Sequence, residues 1–211
     1  MSYKTFVSMN IAVIGTGASA ETYAARYAVA GHEVFLAWKQ DAGARVSSGL
    51  RAFDNINLCD IENAASVADI IVIASPARDV REVAYWLGDV RGKVIIDASA
   101  SLLSGLDEQV NTSGAIRAIT GSENIVKVFS TKGYEKLLKP LFGNDTARLI
   151  LVGDSKKAKE VTKIIYLDLG VNKFVDMCDN DSTPLFDEMT RCWRNLAIKS
   201  SPDNDLVVSR N

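Results

Sequence analysis

Ile11-Ala12-Val13-Ile14-Gly15-Thr16-Gly17-Ala18-Ser19-Ala20 is the stretch on which the reading of this chain turns. Four apolar residues in an unbroken run suit a strand buried on both faces, as in parallel sheets covered by helices. The run ends in GxGxxA. Its first glycine permits a tight turn, and its second lets the main chain approach a pyrophosphate. The small final residue lets a helix pack closely on the sheet. A helix opening there presents free N–H groups and the positive end of its dipole to phosphate. Tyr23, Ala24, Tyr27 and Ala28 follow at helical spacing and Gly31 stops them. The motif thus sits between a strand and a helix, the setting that separates a dinucleotide loop from an ordinary strand–helix turn. Gly15, Thr16, Gly17, Ala18 and Ser19 are therefore candidate cofactor-binding residues.

Working outward, short β-branched runs alternate with amphipathic stretches. Strands are predicted over 33–37, around Ile56 and Leu58, and over 70–74, 94–96 and 125–129; helices are predicted through Tyr23–Ala28, stopped by Gly31, and over 79–87. Such alternation means βαβ units, because parallel neighbours need a crossover between them. Beyond Thr131 the pieces are smaller, with helices over 132–138, 155–169 and 184–198 and strands over 149–152 and 174–175. The predicted fold is α/β, a doubly wound, mostly parallel Rossmann-type sheet with a small C-terminal α/β lobe. Residues 9–131 form the dinucleotide-binding domain and 132–199 the lobe packed on it. Residues 1–8 read as an extension and 200–211 as a loose tail.

Composition narrows the classes. Of 211 residues, 47% are apolar and 24% charged, enough to bury one sizeable core. Lysine and arginine total 24 against 26 acidic residues, a net charge of -2, which speaks against a general nucleic-acid binder. The single histidine, His32, excludes sites built on several histidines. It is expected to cap the first helix or pair on the surface. Cys59, Cys178 and Cys192 are scattered and read as reduced thiols, the last two as buried small hydrophobes. Lys156, Lys157, Lys159 and Lys163 read as one solvated helix face. The N-terminal MSYKTFVSMN is too short and polar for a signal peptide, and no apolar run nears the ~20 residues that cross a bilayer. A cytoplasmic protein with neither metal, nucleic-acid nor membrane partner is expected.

Nucleotide preference is read at the end of the second strand. An NAD site places an acid there for the ribose 2′-hydroxyl, about 20 residues after the glycines. This chain has Leu36-Ala37-Trp38-Lys39-Gln40 and no acid before Asp41. Lys39 could pair with a 2′-phosphate, which favours NADP. Trp38 could stack on the adenine. Alternatively, Lys39 is a solvated loop charge and Trp38 a packing residue.

Several segments together resemble the coenzyme F420-dependent NADP oxidoreductases, and are similar to the cytosolic domain of membrane metalloreductases. They are Met9-Asn10-Ile11-Ala12-Val13-Ile14-Gly15-Thr16-Gly17, Gly31-His32-Glu33-Val34, Asp69-Ile70-Ile71-Val72-Ile73-Ala74-Ser75-Pro76, Gly92-Lys93-Val94-Ile95-Ile96-Asp97, Val126-Lys127-Val128-Phe129-Ser130-Thr131 and Val152-Gly153-Asp154. The resemblance implies that Ala74, Ser75 and Pro76 form the loop beside the nicotinamide. It also implies that Trp38-Lys39 stands where the family has a Ser-Arg pair for the 2′-phosphate. Two places depart from the pattern. Ala98-Ser99-Ala100-Ser101 replaces an Asn-Pro turn, and Lys127-Val128-Phe129-Ser130-Thr131 replaces Lys-Ala-Phe-Asn-Thr. Both are expected near the substrate side, making Ser99, Ser130 and Thr131 candidates there.

The expected function is hydride transfer between NADP(H) and a small-molecule acceptor that is flavin-like, deazaflavin or of coenzyme F420 type. The cofactors carry such chemistry, so no catalytic side chain is assigned. Asp97 reads as a loop cap before a pocket acid. The alternatives are a non-catalytic NADP(H)-binding redox sensor or assembly protein, and a shortened dehydrogenase acting on a small carbonyl. About seventy residues after Thr131 hardly close a pocket alone, so a homodimer is expected.

Overall fold

A computed structural model describes residues 7–15, 17–38, 47–99, 111–130 and 148–177, with the side chains of Ser130 and Arg148 outside that set. Eight strands form one sheet in the order β3-β2-β1-β4-β5-β6-β7-β8. In chain order they are β1 (Asn10–Ile14), β2 (Glu33–Trp38), β3 (Ile56–Asp60), β4 (Ile70–Ile73), β5 (Val94–Asp97), β6 (Ile125–Ser130), β7 (Arg148–Val152) and β8 (Lys173–Met177). The helices are α1 (Ala18–Val29), α2 (Ile61–Val67), α3 (Val80–Trp86), α4 (Thr112–Thr120) and α5 (Lys156–Asp168). All pairings are parallel except β6 with β7. The doubly wound sheet predicted from the alternation is the one observed, and β7, α5 and β8, from the stretch expected to form a C-terminal lobe, join its edge.

The central strands are apolar because both faces are covered. Ile11, Val13, Val72 and Ile96 face one core with α1 and α5, while Ala12, Ile14, Ile71, Ile73 and Ile95 face the other with α2, α3 and α4. Tyr23, Tyr27 and Tyr166 are buried in the first core, Tyr23 and Tyr166 sharing a hydrogen bond at 3.0 Å. No helix among the described residues is long and apolar enough to cross a membrane.

Four details differ from expectation. Helices α2 and α4 were not predicted; each is short, and each is opened by a capping side chain, Asp60 to the Asn63 N–H and Asn111 to the Gly114 N–H. His32 is not on the surface. It is 1% exposed, its Nδ1 accepts from the Met9 N–H, and its Nε2 lies 3.2 Å from Asp168 on α5. Nor do the four lysines share one solvated face. Lys156 and Lys157 are exposed, but Lys159 is buried and bonds Asp176 at 2.5 Å, because α5 turns that side toward the end of β8. The predicted helices over 132–138 and 184–198, and Cys178 and Cys192, lie outside the described residues.

Register sets the functional edge of the sheet. Ile14, Ile73, Asp97 and Lys127 are partners across β1, β4, β5 and β6, forming one row. Gly15, Ala74 and Ala98 continue that pairing one step, through N–H bonds to Ala37, Ile14 and Ile73. β6 does not stop there. Val128, Phe129 and Ser130 run on beyond the row, paired with the reversed β7, a projection of about 10 Å. Both ends of the connection from 130 to 148 therefore lie at this edge.

Candidate dinucleotide site

Gly15 closes β1 against the end of β4. A Cβ built on it would lie 2.7 Å from the Ala74 carbonyl oxygen and 3.0 Å from the Ala20 Cβ, so only glycine fits. Gly17 is the N-cap of α1 in extended conformation, and a Cβ there would meet nothing nearer than the Ser19 hydroxyl at 4.0 Å. Among the described residues, nothing fills the space in front of the helix.

α2, α4 and α5 each have an N-cap side chain that accepts a helix N–H, from Asp60, Asn111 and Ser155. α1 has none. The twelve residues of α1 thus open on first-turn donors and a positive dipole end that no N-cap side chain satisfies among the described residues, the arrangement that holds phosphate. The dinucleotide expected from GxGxxA fits this cradle.

The remaining sequence candidates are placed as follows. Ala18 and Ser19 form the first turn of α1, and the Ser19 hydroxyl donates to the Ala74 carbonyl at 3.5 Å. Ala74 is buried directly against Gly15 and Ser75 is buried next to it, its hydroxyl without a hydrogen-bond partner among the described residues. Pro76 leads into a single 3₁₀ turn, Ala77–Asp79. Trp38 ends β2 at 7% exposure, in the same core cluster as Ala20 and Leu50, so the ring is packed in this structure. Its indole N–H is also unpartnered. Among the described residues, two of the three unpartnered buried side-chain polar groups, at Trp38 and Ser75, thus lie on the strand ends flanking the glycine loop. Ser130 ends β6. Thr16, Lys39 and Thr131 lie outside the described residues.

Ser99 is brought into a group that the sequence reading did not assemble. Asp97, fully buried, accepts from the Ser99 N–H (3.0 Å) and hydroxyl (2.5 Å), from Thr112 (2.5 Å) and Ser113 (2.9 Å), and from Lys127 Nζ (3.1 Å). Burial pushes the Asp97 carboxyl up, but the Lys127 ammonium and the three hydroxyls together hold it below the ordinary carboxylate range. The loop-cap reading of Asp97 is met through the Ser99 N–H. Lys127 went unremarked, although a lysine inside Ile125-Val126-Lys127-Val128-Phe129 is a signal in itself. A charge in a doubly buried strand must find a partner.

The chain is similar to known reductases in sequence over part of its length and in fold over most of it. Residues 10–101 match the family described as NADP oxidoreductase, coenzyme F420-dependent. No curated protein matches the chain in sequence. Among solved structures, the chain is similar to a candidate F420-dependent NADP reductase from Arthrobacter sp. FB24, with TM-score 0.77, 20% identity, and coverage of 91% of this chain and 94% of that one. An imine reductase from Myxococcus stipitatus, in complex with NAD+, aligns with TM-score 0.64 at 16% identity over 91% of this chain and 62% of its own. A reductive aminase from Aspergillus terreus, in complex with NADPH, aligns with TM-score 0.66 at 15% identity, over 92% and 63%. Over residues 10–101 the chain is thus similar in sequence to the coenzyme F420-dependent NADP oxidoreductases, and over most of its length it shares their fold.

Proposed function

We propose that the protein transfers hydride between NADP(H) and a flavin-like or deazaflavin acceptor of the coenzyme F420 type. The observation that carries this reading is the open N-terminus of α1 behind Gly15 and Gly17, within the stretch that matches the family. Gly15, Thr16, Gly17, Ala18 and Ser19 would hold the pyrophosphate, Lys39 the 2′-phosphate, and Ala74, Ser75 and Pro76 the nicotinamide end. NADPH, when bound, supplies two electrons and a proton as hydride. The chain's own task is then to orient two rings and exclude water, which needs no acid–base side chain. The β6 projection walls the acceptor side, and a second copy of the chain completes it. The protein acts in the cytoplasm on a small molecule.

Isothermal titration of NADPH and NADH into the protein and into Lys39→Glu, followed by turnover with FMN and coenzyme F420, tests the reading. A preference for NADPH that the substitution abolishes, with turnover on one acceptor, is expected. No NADPH binding removes the reading. Tight binding with no turnover on any acceptor replaces it with a redox sensor.

A further inference from the structure

The buried group at Asp97 is costly and sits in a telling place. Asp97 is 0% and Lys127 2% exposed, and both belong to the last row of the sheet, directly beneath the edge formed by Gly15, Ala74 and Ala98. Lys127 Nζ also reaches Thr112 Oγ1 at 2.5 Å and Ser99 Oγ at 3.4 Å, and lies 5.6 Å from the centre of the Phe129 ring. One ammonium and one carboxylate thus tie together the turn after β5, the first turn of α4 and the start of the β6 projection.

Stability does not demand this. Replacing a buried ion pair with apolar side chains of similar volume is often neutral or stabilising, so such a pair is weak evidence for a stabilising role. What hydrogen bonds supply and methyl groups do not is direction. Lys127 is too deeply buried to meet a substrate, and Ser99 spends its hydroxyl proton on Asp97. Neither is a catalytic residue.

We propose that the Asp97–Lys127 pair positions the hydride-transfer end of the crevice, by locking the Ala98–Ser99 turn and the Val128–Phe129 part of β6 in a fixed mutual arrangement. This rests on the function proposed above. The pair acts on geometry between the two rings and not on retention of the cofactor, whose pyrophosphate cradle at α1 lies on other strands. Its loss therefore slows transfer while leaving NADPH binding alone.

The test uses the full chain, FMN or coenzyme F420 as acceptor (whichever the wild type turns over), and two variants. Lys127→Met leaves the buried carboxylate without its counter-charge; Asp97→Asn with Lys127→Met removes both charges and keeps the fold testable. The expected result in the double variant is an NADPH Kd within about threefold of wild type and a kcat lowered about tenfold to hundredfold, the range that small misplacements cost. The deuterium isotope effect on kcat with 4-deuterated NADPH rises, because transfer becomes rate-limiting. A merely structural loss lowers the active fraction and leaves that isotope effect where it was. A double variant with wild-type kcat, or one losing kcat with an unchanged isotope effect, overturns the proposal while the function stands. A wild type that neither binds nor oxidises NADPH overturns both.

Discussion

Gly17→Asp separates stability from binding at the N-terminus of α1, because the two should move in opposite directions. The cradle is open in front of Gly17, and the residue is extended, a conformation any side chain adopts. An aspartate there caps the helix for a few tenths of a kcal/mol over glycine. Loss of glycine's freedom in the unfolded chain adds about 0.4–1 kcal/mol, and the carboxylate's position at the dipole's positive end about 0.3–1 kcal/mol. The sum is about 1–2 kcal/mol, a rise in Tm of roughly 2–8 °C for a chain of this size. A pyrophosphate on the same N–H groups would meet that carboxylate at about 4 Å. Two unit charges at that distance near a protein surface repel by about 4 kcal/mol, close to a thousandfold in affinity. Scanning calorimetry of the ligand-free protein and titration of NADPH measure the two halves. A lower Tm refutes the claim that α1 lacks an acceptor, and unchanged NADPH binding refutes the claim that phosphate sits there.

Three further outcomes follow from the same structure. Gly15→Ala should cost about 1–3 kcal/mol by forcing a methyl into the Ala74 carbonyl, read as a lowered urea midpoint together with lost NADPH binding. Tyr27→Phe should be neutral or up to about 1 kcal/mol stabilising, since the hydroxyl it removes is buried without a partner; a large loss in thermal unfolding would contradict this. Alkaline pH should unfold the protein. Burial raises the Tyr23, Tyr27 and Tyr166 hydroxyls above their ordinary 10.0. The native state therefore keeps protons that the unfolded chain releases, and these groups make stability fall as pH climbs above 10. Urea midpoints at pH 8 to 11 should hold steady and then drop, and the drop should shrink when all three are phenylalanine.

The readable parts of this chain were the local ones. Gly15 and Gly17 act through their own backbone, and Ile11–Ile14 through continuous apolarity, so neighbours in sequence carried the message. α2 escaped because only Ile61, Ala64 and Ala65 of its seven residues turn inward, too few to mark a period. α4 escaped because Thr-Ser-Gly opens it, residues that favour turns until Asn111 caps the helix. The partnerships of His32 with Asp168 and Asp97 with Lys127 span 136 and 30 residues, and no spacing rule reaches that far. Composition showed only one histidine, and that it lies buried depends on where α5 comes to rest.

The Asp97–Lys127 pair also bears on how the chain is made. Synthesis delivers β1 to β5 first, and at that stage Asp97 has no ammonium to meet, because Lys127 emerges thirty residues later on β6. A nascent chain halted near residue 101 would present β5 as an unpaired edge whose last side chain is a carboxylate wanting burial. The stretch recognisable by family, 10–101, is therefore shorter than the stretch that can close on itself. Ribosome-stalled chains should resist protease only once β6 has cleared the exit tunnel, so that Lys127 can meet Asp97 and β5 gains its neighbour.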